Sequence, residues 1–243
     1  MSLQMENAKA LYLRGIRDGE VEEVLNNYMG DTYTQHSTGV KEGKAGFQAF
    51  FEDFFQRNPQ RDIQIVRTLE DGPYVFVHVY QNLNEGEAQW VTADVFKANK
   101  EGRIIEHWDV IDAYAKSDVD PIFGDCTITD EEHTEDHKNT IRLFLTEVMQ
   151  NHHFDRFDDY VSQDLFQHDA SLGKTREDWK TYLQDYQVTY DFVFKTLGQG
   201  NYVVTYSQVF IDAVAYACFD IFRLANGQIV EHYTNKEVVP DRL

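Results

Sequence analysis

Cysteine and proline are scarce in this chain, two and four residues among 243. The two thiols, Cys126 and Cys218, make neither a zinc-ligand spacing nor a disulfide framework. A reducing, cytoplasmic setting is the expectation that follows. Basic residues are few as well: 22 Lys and Arg against 42 Asp and Glu, a net charge of −20. The acidic excess is shared by both halves. No stripe of Lys or Arg is present to displace counterions from nucleic acid or to hold an anionic membrane. No apolar run nears the roughly 20 residues that cross a bilayer. No charged-then-apolar leader with a small-residue cleavage site opens the chain. A glycine-rich phosphate loop after a strand is missing, so nucleotide cofactors have no support. No Ser or Cys stands in a recognisable nucleophile setting.

What is abundant is apolar and aromatic: 42% hydrophobic and 14% aromatic residues, enough to bury a core. The chain also repeats itself. Tyr33-Thr34-Gln35-His36 returns as Leu165-Phe166-Gln167-His168. Asp94-Val95-Phe96-Lys97 returns as Asp220-Ile221-Phe222-Arg223. Ile104-Ile105-Glu106-His107-Trp108 returns as Ile229-Val230-Glu231-His232-Tyr233. Units this long are not solenoid repeats. They point to a duplicated domain, residues 1–116 and 129–243, joined by a short link over about 115–128. One difference stands out. Asp109 follows Glu106-His107-Trp108, whereas Thr234 follows the second copy.

Each half reads as helices followed by strands. In the first, helices are expected from residue 8, over 21–29, and over 44–56. Phe47, Phe50, Phe51 and Phe54 fall at i, i+3, i+4 and i+7 on the third. The residues carrying His36 read as a loop. Strands are expected over 63–69, 74–81, 89–97 and 103–111. In the second half, Thr129-Asp130-Glu131-Glu132 and Thr175-Arg176-Glu177-Asp178 have the pattern of helix caps. Trp179, Tyr182, Leu183 and Tyr186 repeat the aromatic face. Strands follow over 188–196, 202–210, 213–223 and 228–238, the last pair joined by the hairpin signal Asn226-Gly227. The class is α+β: in each half, three helices pack on a curved antiparallel sheet and leave a pocket between helices and concave face.

Alternation along strands sorts the polar residues. His107 and Asp109 share one face of the last strand, Glu106 and Trp108 the other. Asp94 lies with Thr92 and Phe96, and His78 with Phe76 and Tyr80. A carboxylate on a covered sheet face is costly unless paired, and histidines are natural partners. His36, His78 and His107 beside Asp94 and Asp109 therefore suggest a carboxylate–imidazole acid/base site in an aromatic pocket. The bland alternative is a set of satisfied core histidines and surface groups. No short histidine spacing supports a metal. His133 and His137, at i and i+4, lack the glutamate of a zinc-protease helix and read as a solvated first turn.

The runs Gln35-His36, Gly43-Lys44-Ala45-Gly46-Phe47, Asp71 to His78, Asp94 to Lys97 and Gly102 to Asp109 resemble the SnoaL-like proteins of the nuclear transport factor 2-like superfamily. The resemblance spans nearly all of residues 6–114 and is weaker in the second half. It implies tandem cone-shaped α+β barrels. It also implies a cofactor-free, aldol-type polyketide cyclase or an isomerase-like enzyme, with an aspartate as general acid/base. Asp109 holds that position, with His36 or His78 as the polarising donor. Asp94, His107, Trp108, Phe76, Phe96 and Tyr33 would line the pocket. His168, Asp220 and His232 are the second-domain equivalents, in a degenerate pocket. The implied partner is a small apolar carbonyl compound, with no cofactor, metal, nucleic acid or membrane. The second domain would serve as an intramolecular pseudo-dimer partner, and homo-oligomers are a further expectation. Two other readings share these residues: a non-catalytic binding protein for an apolar molecule, and a protein-interaction scaffold.

Overall fold

A computed structural model describes residues 2–240. The chain divides into two compact units, residues 1–114 and 115–243. The first unit runs α1 (Leu3–Ala10, continuing as a π-helical stretch Leu11–Arg17), α2 (Val21–Asn27), β1 (Met29–Gln35), α3 (Gly43–Arg57), β2 (Arg61–Asp71), β3 (Tyr74–Leu83), β4 (Ala88–Ala98) and β5 (Ile104–Ala113). The second runs α4 (Thr134–Phe144, again continuing as a π-helical stretch, Leu145–Gln150), α5 (Phe157–Tyr160), β6 (Val161–Gln167), α6 (Arg176–Asp185), β7 (Thr189–Gln199), β8 (Tyr202–Ile211), β9 (Val214–Ala225) and β10 (Gln228–Val238). The tandem α+β architecture is the one expected. Among the described residues no helix is long and apolar enough to cross a membrane.

Each sheet has five strands, ordered β1-β5-β4-β3-β2 and β6-β10-β9-β8-β7. The first strand of each set is the departure from the sequence reading. Met29 is expected to end a helix and residues 30–35 to lie in a loop, yet residues 29–35 form β1, parallel to β5 with Gln35 opposite His107. β6 pairs with β10 in the same way, Gln167 opposite His232. The sheets are therefore mixed rather than antiparallel. Met-Gly-Asp-Thr-Tyr-Thr-Gln has little apolar periodicity, because only one face of this edge strand meets the core. Register shifts in β1/β5, β2/β3 and β4/β5 bend the sheet around the helices. Leu11, Ile16, Val24, Val75, Val77 and Val79 fill the space between them.

Local signals succeed or fail for visible reasons. Thr175 forms the complete capping box with Asp178. Asn226 and Gly227 both adopt positive φ, the hairpin geometry expected of that pair. Thr129 caps nothing. Its amide and carbonyl are taken by Asn201, Asp130 turns left-handed, and α4 begins only at Thr134 after a short 3-10 turn. His137 is buried and its Nδ1 meets the Gly200 carbonyl at 2.9 Å, so this helical turn is not the solvated one expected.

Candidate active site

The first unit encloses a cavity of about 350 Å³ between α3, the π-helical stretch and the concave face of β3, β4 and β5. Its position follows from an incomplete fit. Of the aromatic row on α3, only Phe47 is fully buried. Phe50, Phe51 and Phe54 are half-buried and line the hollow. Trp90 and Ile111 extend the apolar wall toward solvent.

The polar groups come from cross-strand register. Asp94 lies directly opposite Asp109, and Phe96 opposite His107, so all four share the concave face. Asp94 is fully buried and doubly engaged. Its Oδ1 meets His107 Nε2 at 2.8 Å, and its Oδ2 accepts from the Tyr12 hydroxyl at 2.7 Å. The Tyr12 oxygen also lies 3.0 Å from Thr92 Oγ1. His107 Nδ1 lies 3.2 Å from Gln35 Oε1, which also accepts from Tyr33. The imidazole stacks on Phe96 with ring centres 4.4 Å apart. Asp109 is half-buried and completes the polar wall.

Electrostatics follow from this packing. Burial by itself would lower the His107 pKa, but the Asp94 hydrogen bond and the charges of Asp109 and Asp94 outweigh it and raise it. Burial, then the Asp94 charge, lifts the Tyr12 phenol well above its usual range, so it stays a donor. Tyr33 is raised by burial and by Asp109 and Asp94. Ligand atoms of Asp94, His107 and Asp109 fall within 4.8 Å of one another, close enough for a cation. Both nitrogens of His107 and both oxygens of Asp94 are, however, turned to protein partners. The trio is thus built as a hydrogen-bonded chain rather than an open ligand set.

Asp94, His107, Phe96 and Asp109 meet at the cavity; other expected members do not. His36 is a correction. Gln35 faces inward, so His36 emerges on the opposite face, 39% exposed, 3.0 Å from Glu106 and stacked on Trp108. Trp108 is placed with it by the same alternation. His78 is buried with Phe76 on the face away from the cavity, 2.9 Å from Arg67 Nη1. The register explains it: Val77, not His78, opposes Asp94. Tyr33 stands behind Gln35 and edge-on to Phe47, not on the cavity wall. Tyr12, Gln35 and Gln81 were not assigned to the site from the sequence. Gln35 left a signal there through its recurrence as Gln167, and Gln81 as the polar member of the alternating Val75, Val77, Val79 face.

The second unit repeats the chain of contacts. His232 Nε2 lies 2.9 Å from Asp220 Oδ1, and its Nδ1 meets Gln167. Tyr190, from β7 rather than a helix, donates to Asp220 at 2.8 Å. His168 again faces outward. It pairs with Glu231 at 2.7 Å and stacks on Tyr233. There it is covered by residues of the short link: Ile122 is fully buried, and the Asp120 carbonyl lies 2.6 Å from His168 Nδ1. The hollow beside Asp220 and His232 is only about 30 Å³.

Residues 10–107 match the model of the SnoaL-like domain. No curated protein sequence matches the chain. Among solved structures, a proposed polyketide cyclase from Bacillus cereus ATCC 10987 is 18% identical, with 45% of this chain and 74% of that one covered and a TM-score of 0.41. A proposed ketosteroid isomerase from Kribbella flavida DSM 17836 is 11% identical, with 46% and 84% covered and a TM-score of 0.40. An LEH-like epoxide hydrolase of M. tuberculosis is 19% identical, with 43% and 85% covered and a TM-score of 0.38. The match lies within the first unit, which is therefore similar to the SnoaL-like domain over residues 10–107.

Proposed function

We propose that the first unit is a cofactor-independent enzyme that moves a proton next to the carbonyl of a mostly apolar small molecule, with Asp109 as the base. One observation carries this reading. The Asp109 carboxylate lines an aromatic cavity of about 350 Å³ beside the buried Asp94–His107–Gln35 chain, and the cavity is large enough for a small organic ligand. The two aspartates divide the work by environment. Asp94 spends both oxygens on Tyr12 and His107. It orients the imidazole and is not available to a ligand. Asp109 is within reach of one.

In the proposed step, Asp109 takes a proton from the carbon beside the carbonyl, and the electron pair moves onto the carbonyl oxygen. The raised pKa of His107 favours a positive imidazolium close by, which offsets the negative charge that develops. His107 acts here through its field, because both ring nitrogens already face partners. The enolate then either recovers the proton at another carbon, an isomerisation, or attacks a second carbonyl carbon. In the second case Asp109 delivers its proton to the new alkoxide, completing an aldol addition.

The test is deuterium exchange at the acetyl methyl of 4-acetylbiphenyl, followed by NMR in D2O. The wild-type chain should accelerate exchange. Asp109→Asn should lose on the order of 100-fold or more, the usual share of a general base. Equal exchange by the two proteins would remove Asp109 from the mechanism. Saturable binding with no acceleration by either would leave a binding protein, the reading favoured by the same cavity without chemistry.

A further inference from the structure

Gln81 lies on the concave face of β3, in line with Val75, Val77 and Val79, and borders the cavity. Its residue is 8% exposed. Among the described residues its side-chain amide has no hydrogen-bond partner. The amide instead opens onto the cavity, where a ligand or water completes its hydrogen bonds. The second unit is an internal control. β3 and β8 are both ten-residue strands beginning at a tyrosine, Tyr74 and Tyr202, and the position of Gln81 is held there by Val209. Val209 is buried and borders the small hollow. An apolar residue therefore suits this place in the fold. The amide occurs in the unit with the open cavity, as does Asp109, whose counterpart is Thr234.

Register sets the spacing. Gln81 pairs with Trp90 across β3 and β4. Trp90 lies four residues before Asp94 on the same face, and Asp94 pairs with Asp109. Four residues of antiparallel strand span roughly 13 Å. The wall between the two polar ends is apolar and aromatic, with Phe50, Phe51, Phe54 and Ile111 among its members.

We propose that Gln81 is a specificity-determining residue that binds a second, uncharged oxygen of the substrate, a hydroxyl or carbonyl, at the end of an elongated and mostly aromatic or alicyclic ketone whose reacting carbon lies beside Asp109. This rests on the carbonyl-substrate reading above and narrows it to ketones carrying a distal neutral oxygen. An amide both donates and accepts, so it takes either kind of group without bringing a charge into an apolar wall.

The probes are 4-acetyl-4′-hydroxybiphenyl and 4-acetylbiphenyl, which differ only in the distal hydroxyl. Binding is measured by titration calorimetry and tryptophan fluorescence on the full chain. Wild type should bind the hydroxylated compound about ten-fold tighter, the worth of one buried hydrogen bond. Gln81→Val, the residue of the second unit, should erase that preference while keeping or improving affinity for 4-acetylbiphenyl. Gln81→Leu serves as a second variant should the valine perturb the strand, with unfolding curves recorded for both. Asp109→Asn should keep the ten-fold preference while losing exchange. A preference that survives in both Gln81 variants, or is missing in the wild type, overturns the proposal, as does failure of either biphenyl to bind. If no exchange occurs but the preference depends on Gln81, the base assignment fails and the anchor stands.

Discussion

The two units share a buried Asp–His–Gln chain and an outward His–Glu–aromatic cluster, yet one holds a cavity of about 350 Å³ and the other about 30 Å³. The shared parts therefore do not by themselves open a cavity. Gln35 and Gln167 tie the parallel edge strand to the imidazole of the neighbouring strand. His36 and His168 fasten the same strand to Glu106 and Glu231 on the other face. The differences lie in a few side chains. Trp179 stands where α3 has Phe47, is fully buried, and stacks on His232 with ring centres 4.4 Å apart. Thr234, Lys236 and Val209 replace Asp109, Ile111 and Gln81. Lys236 is held by Asp169 at 2.9 Å. Filling the hollow and losing the second carboxylate went together.

The sharpest way to break the comparison is to move the carboxylate. Asp109→Asn should cost on the order of 100-fold in ketone exchange. Thr234→Asp should restore none to that variant, because the second hollow admits little more than a water molecule. Any recovered exchange by NMR would show that the carboxylate alone makes the site.

Packing comes next. Trp179→Ala should destabilise the second unit by about 3–5 kcal/mol, since the ring is fully buried among Phe144, Phe157 and His232. Phe54→Ala should cost about 1 kcal/mol or less, because Phe54 faces an existing cavity and loses fewer contacts. Urea unfolding of each variant measures both. Equal costs would mean the first cavity is closed in solution.

The His–Glu clusters on the outer sheet faces predict a smaller difference that depends on pH. Burial favours the protonated form of Glu231, but hydrogen bonds from His168, Arg223 and Tyr233 outweigh it and hold the pKa at about 2, below the usual 4.5. A depressed carboxylate stabilises the fold above its unfolded pKa. That contribution fades as pH falls from 4.5 toward 2. Glu231→Gln should flatten the acid limb of the stability curve across that window. Glu106 is also lowered: burial opposes this, while His36 and Lys97 drive it. It is more exposed than Glu231, so Glu106→Gln should flatten the limb less. Melting temperatures between pH 2 and 5 decide the order.

The smallest effect concerns His107, whose raised pKa has the opposite sign. It stabilises the fold below the unfolded value of about 6.5, and the contribution is lost as pH rises through the folded value. Asp94→Asn should bring the His107 titration down, as read from its ring-proton NMR shifts. An unmoved titration would assign the shift to Asp109 instead.

The duplication, the α+β class, most helices and eight of the strands can be read from local pattern, because hydrophobic period and turn residues act over a few positions. Asp94, His107 and Asp109 could be placed on strand faces for the same reason. Alternation says which residues of one strand travel together. It does not say which face of the next strand they join, so His78 and His36 were grouped with carboxylates from which the sheet separates them. β1 escaped because its pairing partner lies about seventy residues away and its own pattern is mostly polar.

Sequence by itself determined that there are two copies of one fold, and that only the first has an aspartate after Glu106-His107-Trp108. Tertiary structure alone decided that the Asp–His pair is common masonry, that Asp109 and Gln81 share a hollow with Phe96, and that Trp179 closes its counterpart. The physical reason is that a cavity is a volume left over when distant side chains fail to fill space. Side-chain size enters that balance together with strand register and helix placement, and neither of those is written in any short stretch of the chain.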